Sequence, residues 1–324
     1  MLSSSSSRRT TRIRAPKAHS NNKQQIEQSW SEIQTAIVEI QNKNASVLSF
    51  EKLYRMAYNI VLKKHSDMLY NGVRTTIEDF LSADVKPKLV SMLSDPDEKN
   101  YLKLLNQLWD DHLISMKMIS DVLMYLDRVY CREHHLPLIY DVGLNAFRDK
   151  IIKDDNNRLG QRTTNLIIDY LNKNRYGEIV DKYIIKAIIS MLESLSEDAS
   201  DSHFGENYYL RSFEPLLMQS SHQYYLEKAA ELLSNQSGTM YVLNVKQLIA
   251  DEETRFQLFL PDFTAPKLTD LMDNDLITAN LESVLKLETD GLSSWVCESN
   301  IELISDVFKL VSRVDSKKGG GQEA

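Results

Sequence analysis

Residues able to do covalent or metal chemistry are sparse in this sequence and poorly spaced for it. His134 and His135 are adjacent, but neighbours in a helix point to different sides, and no set of acids or thiols repeats near them as zinc geometry demands. Cys131 closes an apolar run and reads as a small buried hydrophobe, while Cys297 lies far from it. The acid pairs Asp110-Asp111 and Asp154-Asp155 read as solvated faces or turns. Glycine-rich phosphate loops, paired-cysteine motifs and nucleophile elbows do not occur. The sequence therefore predicts no catalytic group, no metal and no cofactor.

The chemistry it does offer is that of binding. Residues 48–70, LSFEKLYRMAYNIVLKKHSDMLY, read as one helix with two apolar faces. Counting about 100° per residue from Phe50, Leu53, Ala57, Ile60 and Val61 gather within about 100° of one another, the pattern of a core face. Tyr54, Tyr58 and Leu62 continue as a second stripe, flanked by Glu51 and Arg55. Interface cores favour Tyr, Phe and Arg, because rigid amphipathic side chains bury area at little entropic cost and keep a polar tip to satisfy. The same pattern also fits a helix buried on two sides.

Further helices must position that stripe. Ile26, Trp30, Ile33, Ile37 and Ile40 recur at three- and four-residue spacing and predict a first helix over 24–42. Ser49 is the expected N-cap of the second, Glu51 suits its positive first turn, and Gly72 is expected to stop it near Tyr70. A third helix is predicted over 74–94 with Pro87 as kink or break, and a long fourth over 96–131. In the fourth, Trp109, Leu113, Met116, Ile119, Leu123, Leu126 and Tyr130 form one face, and Met118, Val122, Tyr125 and Val129 a second. Only Asp110, Lys117, Asp121 and Arg128 form a polar strip, as expected of the central post of a bundle. A fifth helix over 138–153 closes the set. Helices near 158–172, 180–196, 205–235, 240–260 and 267–289 repeat the count, and 291–316 begins another element. A helical unit recurring every ~130 residues predicts an all-α, elongated stalk of stacked units of the α-solenoid kind.

Bulk composition agrees. The chain has 324 residues, 42% hydrophobic, with only 10 glycines and 2 cysteines, enough for large helical cores in a reducing compartment, cytoplasm or nucleus. No apolar run approaches the roughly 18 residues of a membrane span. Residues 1–20 hold Arg8, Arg9, Arg12, Arg14 and Lys17 and no acid, yet the whole chain is at −8. An acidic body lacks the concentrated basic face that nucleic acid requires, so neither nucleic acid nor membrane is an expected partner. Residues 1–22 are too poor in large apolar groups to order alone. The expected organisation is a basic arm over 1–22, a first repeat over 23–155, a second over 156–290, and the start of a third over 291–324.

IRA at 13–15, LSFEKLYRMAYNIVLKKH at 48–65, LYNGV at 69–73, LNQLWDDHLISMKMISDVLMYLDRVY at 105–130 and YDVGLNAFRD at 140–149 together resemble the N-terminal region of the cullins. The likeness is strongest to the BTB-binding branch, through the SFE-LYR--AY pattern and the short IRA arm. It implies five-helix cullin repeats and a ubiquitin-ligase scaffold, itself not an enzyme, whose first repeat holds a BTB-domain adaptor, often BTB-Kelch. The implied adaptor contacts are Leu48, Phe50, Glu51, Tyr54, Arg55 and Tyr58 with Tyr125 and Arg128, and Ile13 of the arm beside them. It also implies that a RING protein binds only through a C-terminal half outside this sequence. A competing expectation is a helical-rod subunit of a vesicle-tethering complex, which would bind no BTB domain.

Overall fold

A computed structural model describes residues 18–94, 97–154, 156–197 and 207–319. These are all-α as expected: among the described residues the one β contact is an isolated bridge between Ser196 and Asn207. In chain order the helices are α1 (Ala18–Gln41), α2 (Phe50–Leu62), α3 (Ser66–Phe80), α4 (Lys86–Ser91), α5 (Glu98–Val122), α6 (Met124–Leu126), α7 (Ile139–Phe147) and α8 (Arg158–Arg175). There follow α9 (Lys182–Ser194), α10 (Glu214–Ser234), α11 (Gly238–Phe259), α12 (Ala265–Asp273), α13 (Leu281–Leu285), α14 (Leu292–Cys297) and α15 (Ile301–Gly319). Five π-helical turns, Leu81–Val85, Asp127–Cys131, Arg148–Ile152, Tyr209–Phe213 and Asn274–Thr278, extend or join these helices.

Several expected boundaries move. The stretch 48–70 is two helices, because α2 ends at Leu62 and the next residues turn the chain, with Lys64 in the left-handed region at φ 62°. Gly72 does not stop a helix; it lies inside α3, where a Cβ would stand 2.4 Å from Cζ2 of Trp30. Its role is to let the indole of α1 lie against α3. The third helix accordingly begins at Ser66, and Pro87 sits in the first turn of α4 just after a π turn, where its missing N–H costs little. The long fourth helix breaks at Leu123 (φ −100°, ψ 12°), and the predicted 267–289 helix divides into α12, its π turn and α13. α1 starts at Ala18, within the segment read as an arm; residues 1–17, Ile13 among them, lie outside the described ones.

The described residues pack as two compact units, one of those up to 80 with 112–143 and one of those in 81–111 with those from 144 onward. In the first, Ile33, Ile37 and Ile40 of α1 meet the buried face of α2 (Leu53, Ala57, Ile60, Val61) and of α3 (Leu69, Val73, Ile77), with Met116, Ile119 and Leu126 completing the core. All four core residues expected of α2 are buried. His112 is buried here too, its Nε2–H donating to the Gly143 carbonyl at 2.9 Å. Burial outweighs that bond and pushes its pKa down to about 4, so it is held neutral.

The second unit buries large aromatics, Tyr101, Tyr209, Phe213, Tyr241, Phe259 and Trp295, and the tyrosine hydroxyls and the Trp295 indole find polar partners. Tyr101 OH donates to the Leu159 carbonyl at 3.1 Å, and Tyr241 OH to that of Leu276 at 2.7 Å. At its centre Arg175 of α8 meets Glu252 of α11 at 2.8 Å, both almost without solvent exposure. Tyr225 OH donates to the same carboxylate at 2.7 Å, Ser221 accepts from the guanidinium at 2.8 Å, and the Tyr224 ring lies 4.7 Å from it. Each charge therefore has more than one partner, the condition for burying it without a large penalty.

Candidate protein interface

Within the first unit, α2 is fixed at its N-terminus and along one face. Ser49, in extended conformation, accepts from the Lys52 N–H at 3.4 Å and caps the helix, and Glu51 lies in the first turn as expected. Lys52 Nζ reaches Glu32 Oε2 of α1 at 2.6 Å. With one face of α2 in the core, the other must look outward.

That outward face carries an aromatic row. The rings of Tyr54 and Tyr58, one turn apart, stack with centroids 6.4 Å apart, and Tyr58 meets Tyr125 of α6 at 4.4 Å with planes 51° apart. All three are half-buried, so each is held by its neighbours while still presenting surface. Such aromatic pairs contribute about 0.5 to 1.5 kcal/mol beyond the area they bury. Phe50, Glu51 and Arg55 are exposed beside the row, and Arg55 Nη2 pairs with Glu51 Oε1 at 2.6 Å across one turn. An ion pair so open to solvent adds little stability, which leaves both groups ready to exchange partners. Leu48 is half-buried after a short 3-10 turn, and Val47 just before it is 79% exposed. A lone Val in a connector gives no periodic signal, so Val47 is not legible in the sequence; Leu62, 54% exposed, extends the row as its spacing predicts.

Arg128 reaches the surface by a different route. It belongs to the π turn Asp127–Cys131, which begins with a buried carboxylate. Asp127 Oδ1 accepts from the Ile139 N–H, the first of α7, at 2.9 Å, tying that turn to the next helix. Burial pushes the Asp127 carboxyl up, and burial together with that carboxylate pushes the Cys131 thiol up to about 12. A thiol so placed is protonated and inert, in keeping with the packing role expected of Cys131. Below the row, Tyr70 OH donates to the Pro137 carbonyl at 3.1 Å and Tyr70 lies 6.0 Å from Tyr130. These two hydrogen bonds tie α3 and the π turn to the segment that enters α7.

The structure brings Tyr54, Tyr58 and Tyr125 into contact and leaves Phe50, Glu51, Arg55 and Arg128 exposed around them. Ile13 is the one expected contact outside the described residues. Among the described residues no three His, Cys, Asp or Glu side chains converge as a metal site would need, and no helix is long and apolar enough to cross a membrane. The row has the make-up of a protein-binding surface, with rigid aromatics at the centre and charges at the edge.

Residues 30–320 match the cullin alpha solenoid domain. Among curated relatives, the chain is 34% identical over 291 residues to a Cullin-3 of Dictyostelium discoideum, covering 88% of this chain and 35% of that protein. It is 30% identical over 306 residues to a Cullin-3 of Caenorhabditis elegans, covering 93% of this chain and 38% of the relative. With Cullin-3B of Arabidopsis thaliana it shares 28% over 288 residues, 89% and 37% of the two chains. The chain therefore spans little more than a third of the length of these relatives. A domain match over most of the sequence, on an all-α fold of the class expected, shows that the chain belongs to the cullin family.

Proposed function

We propose that this chain is the receptor-binding part of a cullin-RING ubiquitin-ligase scaffold, and that it holds a BTB-domain adaptor, of the BTB-Kelch kind, on the face formed by α2 and α6. The observation that carries this reading is the row Tyr54, Tyr58 and Tyr125, fixed from beneath and open above. Similarity to several Cullin-3 proteins supports it. Leu48, Phe50, Glu51 and Arg55 extend the contact along α2, Arg128 borders it, and Ile13 enters an apolar groove of the adaptor. The chain contributes position and not chemistry: it brings a substrate held by the adaptor towards a RING protein that binds outside these 324 residues. It acts in the cytoplasm and nucleus, with no nucleic-acid or membrane partner.

The test is affinity capture from cell extract with the intact chain as bait, alongside a Tyr58→Lys bait, read by mass spectrometry. BTB proteins enriched by the first and absent from the second are the expected result. A BTB-free set enriched in vesicle-tethering subunits would overturn the proposal. In a reconstituted reaction with activating and conjugating enzymes, the chain alone should transfer no ubiquitin.

A further inference from the structure

The exposed charges near the aromatic row are unevenly disposed. Along its first turns the cations are matched, Lys52 to Glu32 and Arg55 to Glu51. Towards the C-terminal ends of the two helices they are not. Lys63 caps α2, Arg128 sits in the π turn and Arg132 follows it, all three exposed and none with an ion-pair partner among the described residues. Both helix ends lie at one side of the unit: Tyr130 of the π turn is 6.0 Å from Tyr70 of α3, and burial and then the nearby Asp67 carboxylate raise its phenol. Asp67 stands in the first turn of α3, which follows Lys63-Lys64-His65 directly. The cations here are Lys63, Lys64, Arg128 and Arg132, and the acids are Asp67, Glu133 and, buried and tied to the Ile139 N–H, Asp127. On a chain of net charge −8 this is a local reversal of sign.

A basic residue at a helix C-terminus offsets the helix dipole. That accounts for Lys63, for Arg132 and, in the last turn of the π helix, for Arg128 singly. It does not account for all three standing without an acidic partner among the described residues at the end of the unit where Tyr130 meets α3.

We infer that Lys63, Arg128 and Arg132 form a basic rim that receives acidic side chains of the adaptor seated on the aromatic row, and so favours adaptors with an acidic edge there. The inference rests on the adaptor-binding reading above and adds the chemistry of the partner. Charges at an exposed rim act chiefly on the rate of encounter and on the choice of partner, whereas the desolvated centre sets the rate of escape. Lys63 and Arg132 therefore act differently from Tyr58: they steer and it anchors.

The test measures association and dissociation of the intact chain with a recombinant BTB domain from a BTB-Kelch adaptor at about 50 mM and about 500 mM salt, where the Debye length falls from roughly 14 Å to roughly 4 Å. The variants are Lys63→Glu with Arg132→Glu, Tyr58→Lys, and a control pair on α9, Lys182→Glu with Lys186→Glu, which adds the same charge elsewhere. The rim pair should slow association about tenfold at low salt and less than twofold at high salt, with dissociation nearly unchanged. The control pair should stay within twofold of the intact chain throughout. Association of the rim pair as fast as, or faster than, that of the intact chain would overturn the inference while Tyr58→Lys still loses binding. Equal slowing by the control pair would assign the effect to net charge and overturn it as well. An intact chain that fails to bind, or a Tyr58→Lys chain that binds as well as the intact one, would refute the adaptor reading itself.

Discussion

Tyr58 of α2 and Tyr125 of α6 pack with ring centroids 4.4 Å apart and planes tilted by 51°. Two segments far apart in sequence thus share one surface, and each ring limits the movement of the other. Tyr58→Lys should abolish adaptor binding, because a charge would be buried without a counterion where a ring had anchored; the loss expected is about 2 kcal/mol or more. Helix content and melting should stay close to those of the intact chain. Calorimetric titration with a BTB adaptor, beside circular dichroism, checks both, and full affinity in a well-folded variant would remove the row from the interface.

Leu53 faces the other way and is buried. Leu53→Ala should leave a cavity and lower stability by roughly 2 to 5 kcal/mol, with little effect on adaptor affinity once corrected for folding. Urea titration measures the first and calorimetry the second.

Gly72 offers a more discriminating experiment, since its missing Cβ is the space occupied by Trp30. Gly72→Ala gains about 1 kcal/mol of helix propensity but must displace the indole, and the net effect should be a loss of about 1 to 3 kcal/mol. In a Trp30→Leu background the same substitution should become neutral or stabilising. A double-mutant cycle by urea unfolding reads the coupling; additivity of the two changes would show that the contact is not what requires glycine.

Glu252 neutralises Arg175 in the interior of the second unit. Glu252→Ala should cost about 3 to 5 kcal/mol because it strands a buried guanidinium, whereas replacing both by apolar residues of similar volume should cost less. Thermal unfolding of the single and double variants distinguishes a pair needed for its charge from one needed for its shape.

His112 gives the first unit a dependence on pH. Its folded pKa of about 4 lies below the ordinary 6.5 because it is buried. The unfolded chain therefore binds the proton more readily, and the contribution of neutral His112 is whole above pH 6.5 and is lost as pH falls through 6.5 towards 4. By pH 5 the loss should reach about 2 kcal/mol. Asp127, pushed up by burial, acts in the opposite sense at lower pH, so the quantity to measure is the difference between the intact chain and His112→Gln. That difference should narrow between pH 7 and pH 5 as the intact chain weakens, and a pH-independent difference would show that His112 titrates normally.

Period was the reliable signal in the sequence. The faces of α2 follow from it, since Leu53, Ala57, Ile60 and Val61 are all buried while Tyr54 and Tyr58 look outward. Punctuation was less reliable. Glycine ends helices and also admits a close neighbour, and at Gly72 only the position of Trp30 tells the two apart. Conversely, α2 ends where the sequence has Lys63-Lys64-His65, with no glycine or proline, and Lys64 takes the left-handed conformation that a glycine would have signalled. Family likeness names Tyr58 and Tyr125 as adaptor contacts, but neither it nor an apolar second face on the long helix says that the two rings meet. π turns leave no mark in composition, so Leu123 and the residues after it could not be placed by counting along a wheel.

The π turn at Asp127–Cys131 also means that chain length carries information here that composition does not. A π turn holds one residue more than the α-helical turn it replaces, which rotates everything after it by about 100°. Deleting Val129 could return the segment to ordinary helical pairing with its hydrogen bonds intact. Yet Arg132 would then point elsewhere, Cys131 would leave the core, and the tie from Asp127 to Ile139 would be put under tension. The turn is in effect a phase setting, fixed by a single inserted residue. Two chains with nearly identical side chains but lengths differing by one at this point would present different surfaces to the same partner.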